Sequence, residues 1–319
     1  MIPPVYFYYF WNEKEKMMKE LIFLETELKK MIWGEEQWVI SANEKGDCKV
    51  RNEQWKGKTL SELWEEKPAL FGNLKKEYFP LLIKVIQAKE DLSIQVHPDD
   101  AYAEENEEGS PGKNECWYIL DCEKDAFLII GHNAESKQEL QEMIENGRWE
   151  SLFKKVPVQK GDFIKIDAGT LHAIKGGITL LEIQENSDLT YRVYDYGRLK
   201  NGKPRDLHTE KALAVIKVPA ESIEESVYRA GDIQKNQEEL LGENEYYKVF
   251  RVCVSRNFEM KQTFPFMIVS VIQGAGMLND RRIKKGEHFI VPFDYGNMYF
   301  SGNMELICSA YPIRSKIKS

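Results

Sequence analysis

The sequence predicts a mostly β chain, folded as two barrel-type β-domains with a few short helices. Three observations carry this. Short apolar runs at residues 81–86, 127–130, 163–166 and 178–183 are separated by Gly, Asp and Asn turns at close intervals. A Glu- and Gln-rich stretch at 221–245 interrupts the pattern, after which strand-like runs resume at 246–255, 266–272, 288–291 and 305–310. Helix signals are few and carry no catalytic spacing.

Taken in order, residues 1–20 read as an N-terminal extension, an aromatic segment followed by a charged one. Residues 21–220 form the expected catalytic barrel with its helical segments. One helix opens on Ser136-Lys-Gln-Glu139, the pattern of a capping box, with Leu140, Met143 and Ile144 on one face. A second helix is expected at 209–216, with His208 at its start. Residues 221–245 are the expected linker, and 246–319 a smaller C-terminal β-barrel with turns at Gly274/Gly276 and Lys285-Gly286.

The chain has 319 residues and 42% hydrophobic content, enough to fill real cores. A net charge of -8 offers no overall positive field for nucleic acid, while a few local Lys and Arg residues suffice for one small phosphorylated molecule. Five cysteines, odd in number and scattered (Cys48, Cys116, Cys122, Cys253, Cys308), fit neither a disulfide framework nor a cysteine zinc site. The apolar run at 5–11 is too short to span a membrane and lacks the basic flank of a signal peptide. A cytoplasmic protein without nucleic-acid or membrane partners is expected, with a monomer favoured.

Three segments carry the candidate chemistry. In Leu92-Ser-Ile-Gln-Val-His-Pro-Asp-Asp100, strand alternation puts Gln95 and His97 on one face and Ile94 and Val96 on the other. Taken alone, this segment reads equally well as a strand with its polar face in water. In Gly112-Lys-Asn-Glu-Cys-Trp117, Lys113, Glu115 and Trp117 share a face, and Glu115 adds a charged oxygen ligand to the imidazoles. In Gly161-Asp-Phe-Ile-Lys-Ile-Asp-Ala-Gly-Thr-Leu-His172, a glycine turn leads into a strand, and His172 follows Gly169 by three positions. This last spacing resembles the second cupin motif, with Asp167 where that motif usually has proline.

Together the segments offer Gln95, His97, Glu115 and His172, an N/O set suited to zinc or another divalent first-row ion, one per chain. Gln95 is either a ligand or a group that orients a metal-bound histidine. Downstream, Glu182, Gln184 and Asn186 form a polar row on one strand face, and Arg192 and Arg198 follow with donors suited to a phosphate.

The strings SIQVHPDD, GKNECWYI, AGTLHAI and QENSDLTYRVYDYGR, in this order and spacing, closely resemble the type I mannose-6-phosphate isomerases, particularly their short bacterial branch. The resemblance implies two cupin-type (jelly-roll) β-barrels, a single zinc, and interconversion of mannose 6-phosphate and fructose 6-phosphate. It implies Gln95, His97, Glu115 and His172 as metal ligands. It places Lys113, Glu182, Arg192 and Arg198 at pocket positions tied to proton transfer or phosphate binding, and Ser93 at the phosphate end. One departure stands out: Ile32-Trp-Gly34 runs almost directly into Glu36-Gln-Trp-Val-Ile-Ser41, where the family has a loop of over a dozen residues.

Aldose–ketose isomerisation moves a proton between adjacent carbons through an enediolate, which needs a base and a positive group near the developing oxyanion. Glu182 or Lys113 is the expected proton shuttle, and Arg192 the expected source of charge stabilisation or phosphate grip. A sugar-phosphate-binding module without activity is the alternative, and a metal-dependent oxygenase a more distant one. The full set of Lys113, Glu182 and Arg192 speaks against the first, and phosphate-grip residues that would then stand idle speak against the second.

Overall fold

The computed structural model describes residues 20–229, 231 and 233–312; the expected extension at 1–20 lies almost wholly outside the described residues. The protein is mostly β, with strands far outweighing short helices. A seven-stranded sheet runs in the order Val227–Tyr228, Phe163–Ile166, Glu115–Cys122, Ile178–Glu185, Leu81–Ala88, Gly34–Ile40, Glu27–Met31. A five-stranded sheet runs Phe153–Pro157, Phe127–His132, His172–Ala173, Ile94–Val96, Tyr191–Tyr194. Among the described residues, no helix is long and apolar enough to cross a membrane.

The period-2 alternation of side chains decides what each face does. In Leu81–Ala88, Ile86 and Ala88 join a core shared with Leu128, Ile130 and Val156 of the five-stranded sheet. Leu81 and Ile83, on the other face, join a core shared with the C-terminal region. Ile178–Glu185 divides the same way: Ile178 and Leu180 face the first core, Leu181 and Ile183 the second. Ile94, Val96, Ala173, Tyr191 and Val193 point outward from the five-stranded sheet, onto Leu140, Met143 and Ala212 of the helices Lys137–Glu145 and Thr209–Val215. That outward set leaves Gln95, His172 and Arg192 pointing inward.

The helix starts show how local chemistry sets boundaries. Ser136 caps Lys137–Glu145, its hydroxyl accepting from Glu139 N at 3.2 Å, while the Glu139 carboxylate accepts from Glu135 N rather than from Ser136. The reciprocal capping box occurs instead at Thr59 and Glu62, opening Leu60–Glu66.

A second seven-stranded sheet gathers the C-terminal strands, with Asn297–Ala310 between Met267–Leu278 and Lys248–Lys261. Three expectations from the sequence are corrected here. Gly274 and Gly276 lie inside the strand Met267–Leu278, not at a turn. A Cβ at Gly274 would sit 2.1 Å from Asn303 O, so the glycine serves close strand approach. The stretch 221–245, expected as a linker, contains the strand Gln237–Glu243 at the edge of this sheet. Residues Ile22–Phe23, assigned from sequence to the catalytic half, pair with His288–Val291 on the opposite edge.

The C-terminal sheet and the first seven-stranded sheet share one apolar core, in which Ile83, Leu181 and Ile183 meet Leu241, Val249, Ile268 and Ile307. Phe79 and Phe266 pack across it with ring centroids 4.8 Å apart, and Phe71 meets Phe266 edge-on at 6.0 Å.

Candidate metal centre and active-site cavity

Strand register assembles the site. Gln95 lies between His172 on one neighbouring strand and Arg192 on the other. In the facing sheet, Glu182 lies between Lys84 and Trp117, and Gln184 between Leu82 and Glu115. Two close backbone approaches hold the ends of these strands. A Cβ at Gly112 would fall 2.4 Å from Asp100 N, so only glycine lets the chain pass there into Lys113. Gly169 N donates to His97 O at 2.9 Å, tying the turn before His172 to the other histidine.

His97, Glu115 and His172 are fully buried, with ligand atoms all within 4.8 Å of one another. His172 Nε2 lies 3.3 Å from Glu115 Oε1, and His97 Nε2 lies 3.6 Å from Glu115 Oε2. Gln95 Nε2 is 3.2 Å from His172 Nε2, and turning the amide over would put its oxygen in that place. Four N/O ligands at zinc distances in a tetrahedron are about 3.3 Å apart, close to these separations.

The imidazoles are oriented from behind. His97 Nδ1 meets Leu189 O at 2.8 Å and His172 Nδ1 meets Thr170 O at 2.9 Å, so each Nδ1–H donates to a carbonyl and each Nε2 lone pair faces the cluster. Burial, joined by the Lys113 and His172 charges, holds His97 well below its ordinary pKa, and burial takes His172 down to about 4. Both rings are therefore neutral at neutral pH, the form that binds metal. Burial pushes Glu115 up to about 7 against the pull of Lys113, whose Nζ lies 2.8 Å from Oε2. Neither Glu115 oxygen has a hydrogen bond of acceptable geometry. Two imidazoles beside a buried carboxylate, with Lys113 Nζ 2.8 Å from Glu115 Oε2 and 3.3 Å from His97 Nε2 holding the place of positive charge, form a donor set that fits a divalent cation.

A cavity of about 550 Å³ opens beside the cluster, its wall including Ser93, Gln95, Lys113, Glu182 and Arg192. Arg192 donates to Ser93 Oγ at 3.3 Å and to Asp206 O at 2.8 Å. Glu182 is buried and paired with Lys84 at 2.9 Å, and accepts from Trp117 Nε1 at 3.2 Å. Burial raises the Glu182 carboxyl, but Lys84 and Lys113 outweigh it and bring it down to about 2.

The structure thus brings together Ser93, Gln95, His97, Lys113, Glu115, His172, Glu182 and Arg192. Arg198 stands apart from the cavity wall, engaged with Asp195 and with Asp91 O. Arg205, Lys200 and His208 line the wall instead, Arg205 donating to Asp195 Oδ2 at 2.7 Å. Sequence reasoning did not single out Lys84. Its one signal was a lysine inside the otherwise apolar run Leu81-Leu-Ile-Lys-Val-Ile86. The hairpin Glu27–Met31 to Gly34–Ile40 places Met31, Trp33 and Glu36 on the cavity rim, where the shortened segment falls.

Comparison with known proteins gives the family. The family profile described as phosphomannose isomerase type I, catalytic domain, matches residues 8–124, and that of the mannose-6-phosphate isomerase cupin domain matches 237–311. The mannose-6-phosphate isomerase ManA of Bacillus subtilis is 42% identical over 314 residues, covering 92% of this chain and 99% of the relative. The crystal structure of the mannose 6-phosphate isomerase from Bacillus subtilis aligns with a TM-score of 0.83 at 42% identity, covering 91% of this chain and 99% of that one. A mannose 6-phosphate isomerase bound with zinc and yttrium shares the fold at 16% identity, with a TM-score of 0.71 over 92% of this chain and all of the other. With matching profiles in both halves and this identity over nearly its full length, the chain belongs to the type I mannose-6-phosphate isomerases, a family of aldose–ketose isomerases.

Proposed function

We propose that this chain interconverts mannose 6-phosphate and fructose 6-phosphate in the cavity beside His97, Glu115 and His172, with one zinc or similar divalent ion held by these residues and Gln95. The observation that carries the metal is the convergence of two imidazoles, each held by a carbonyl at Nδ1, on the buried Glu115 carboxylate, with all ligand atoms within 4.8 Å of one another. The zinc bound by the distant structural neighbour supports that choice of ion. When bound, such an ion supplies positive charge that orients sugar oxygens and stabilises a developing oxyanion.

The chain's own residues divide the remaining work. Lys113 is the preferred proton carrier. Glu182, held down to about 2, is ionised at neutral pH but has little affinity for a proton, which suits it to hold Lys84 and a sugar hydroxyl. Lys84 and Arg192 then supply fixed positive charge along the wall. Ser93 and Arg192 face the phosphate together with Arg205. Arg198 acts one step back, sharing Asp195 with Arg205.

The pair of sheets in the catalytic half and the C-terminal sheet are read as two jelly-roll barrels. Five free cysteines fit a reducing cytoplasm. The deciding experiment adds mannose 6-phosphate to purified protein, with and without a chelator, and assays fructose 6-phosphate. Product formation that stops on chelation and returns with zinc is expected. Saturable binding with no product would leave only a sugar-phosphate-binding module.

A further inference from the structure

We propose that His208 is a substrate-contacting residue, giving one neutral N–H donor to the phosphate of the phosphosugar; this rests on the isomerase reading above. A two-bond clamp fixes the residue in place. Arg192 N donates to His208 Nδ1 at 3.1 Å, and His208 N donates to Arg192 O at 2.8 Å. A backbone N–H has no acceptor role, so Nδ1 must carry the lone pair and Nε2 the proton. Burial and the neighbouring Arg192 charge lower the His208 pKa, which keeps the ring in this neutral form.

Accepting from Arg192 N and packing beside Tyr191, with ring centroids 6.3 Å apart, leave the Nε2 edge of the imidazole unassigned. His208 stands at the start of the helix Thr209–Val215, yet its side chain makes no capping hydrogen bond. Among the described residues, its Nε2–H has no hydrogen-bond partner, while the ring lines the cavity with Arg192, Arg205 and Lys200. Asp188 and Asp206 share this wall and Arg205 is paired with Asp195, so Arg192 and Lys200 attract an anion but fix its orientation loosely; a single N–H held by a backbone clamp adds direction without adding charge. A phosphate monoester oxygen is the acceptor that fits both the cations and the donor.

Two substitutions separate contact from scaffolding. His208→Asn keeps an acceptor near the Nδ1 position for Arg192 N and loses the distal donor, whereas His208→Gln can present an amide N–H near the Nε2 position. His208→Asn is expected to raise KM for mannose 6-phosphate about 10-fold and to weaken competitive inhibition by inorganic phosphate about equally, the size of a lost hydrogen bond to a charged group. Its kcat should stay within about 3-fold, and His208→Gln should recover most of the KM effect.

Wild-type KM and wild-type phosphate inhibition in His208→Asn would overturn the proposal. So would equal losses in both variants accompanied by a lowered melting temperature, the mark of a purely architectural residue. Calorimetric titration of inorganic phosphate into the wild type and both variants decides the point even if the wild type shows no isomerisation. Failure of the isomerase reading is thereby distinguished from failure of this one.

Discussion

Lys84 and Glu182 face each other across neighbouring strands and form an ion pair 2.9 Å long with both side chains almost fully buried. Lys84 also donates to Gln184 Oε1 at 2.6 Å, so one ammonium anchors two members of the inward polar row. Removing one partner strands the other charge inside the protein. Lys84→Met is expected to cost about 3–5 kcal/mol in urea denaturation, whereas the double change with Glu182→Met should recover much of that loss. A single variant as stable as the wild type would show that the pair is not closed to water.

Gln95 separates ligand from orienting group by magnitude. Gln95→Ala should weaken zinc affinity roughly 10–100-fold if the amide only supports the cluster without ligating the ion, the range for such supporting groups. A loss beyond that range, measured by competition with a chelator of known affinity, would place Gln95 on the metal.

The proton carrier is tested by a pair of variants with metal content measured in each. Lys113→Met should lower kcat by about 10²–10⁴-fold, the usual contribution of a positioned acid or base. Glu182→Gln should lose less. The reverse order would make Glu182 the base in spite of its low proton affinity.

Acid stability has a distinct source in the C-terminal half. His288 is half-buried against Ser270 Oγ at 2.8 Å, and desolvation takes its pKa from 6.5 down to about 4. Between those values the unfolded chain binds the proton and the folded chain does not, so stability falls as pH drops from 6.5 to 4. The loss amounts to about 3 kcal/mol. His288→Gln should flatten this limb of the curve of unfolding free energy against pH, and an unchanged slope would assign it to other groups.

Phe266 packs between Phe71 and Phe79 in the core shared by the two halves. Phe266→Ala should cost about 3–5 kcal/mol, with both halves unfolding in one transition by circular dichroism and by tryptophan fluorescence. Two separated transitions would show that the halves are energetically independent.

The sequence made the chemistry of the cluster easier to read than the architecture around it. His97, Glu115 and His172 sit in short motifs whose turns and alternation are local, so their approach to one another could be anticipated. Lys84 could not, because its partner Glu182 lies on a strand paired only in the folded chain. The strand Gln237–Glu243 hides for another reason: as an edge strand it buries Leu241 alone, so its sequence has the composition of a solvated connection. Arg192 and Arg198, which the sequence offers for one target, part in the fold: the chain turns between them, and Arg198 engages Asp195 and Asp91 O.

The position of Asn297–Ala310 has a consequence for biosynthesis. This late strand is hydrogen-bonded on both sides, and its Ile307 belongs to the layer that covers the apolar back of the catalytic sheet. A nascent chain emerging from the ribosome therefore keeps the rear of its metal-binding half uncovered until residues near 310 have been translated. A chain cut short before this strand leaves Leu81, Ile83, Leu181 and Ile183 without part of their apolar cover.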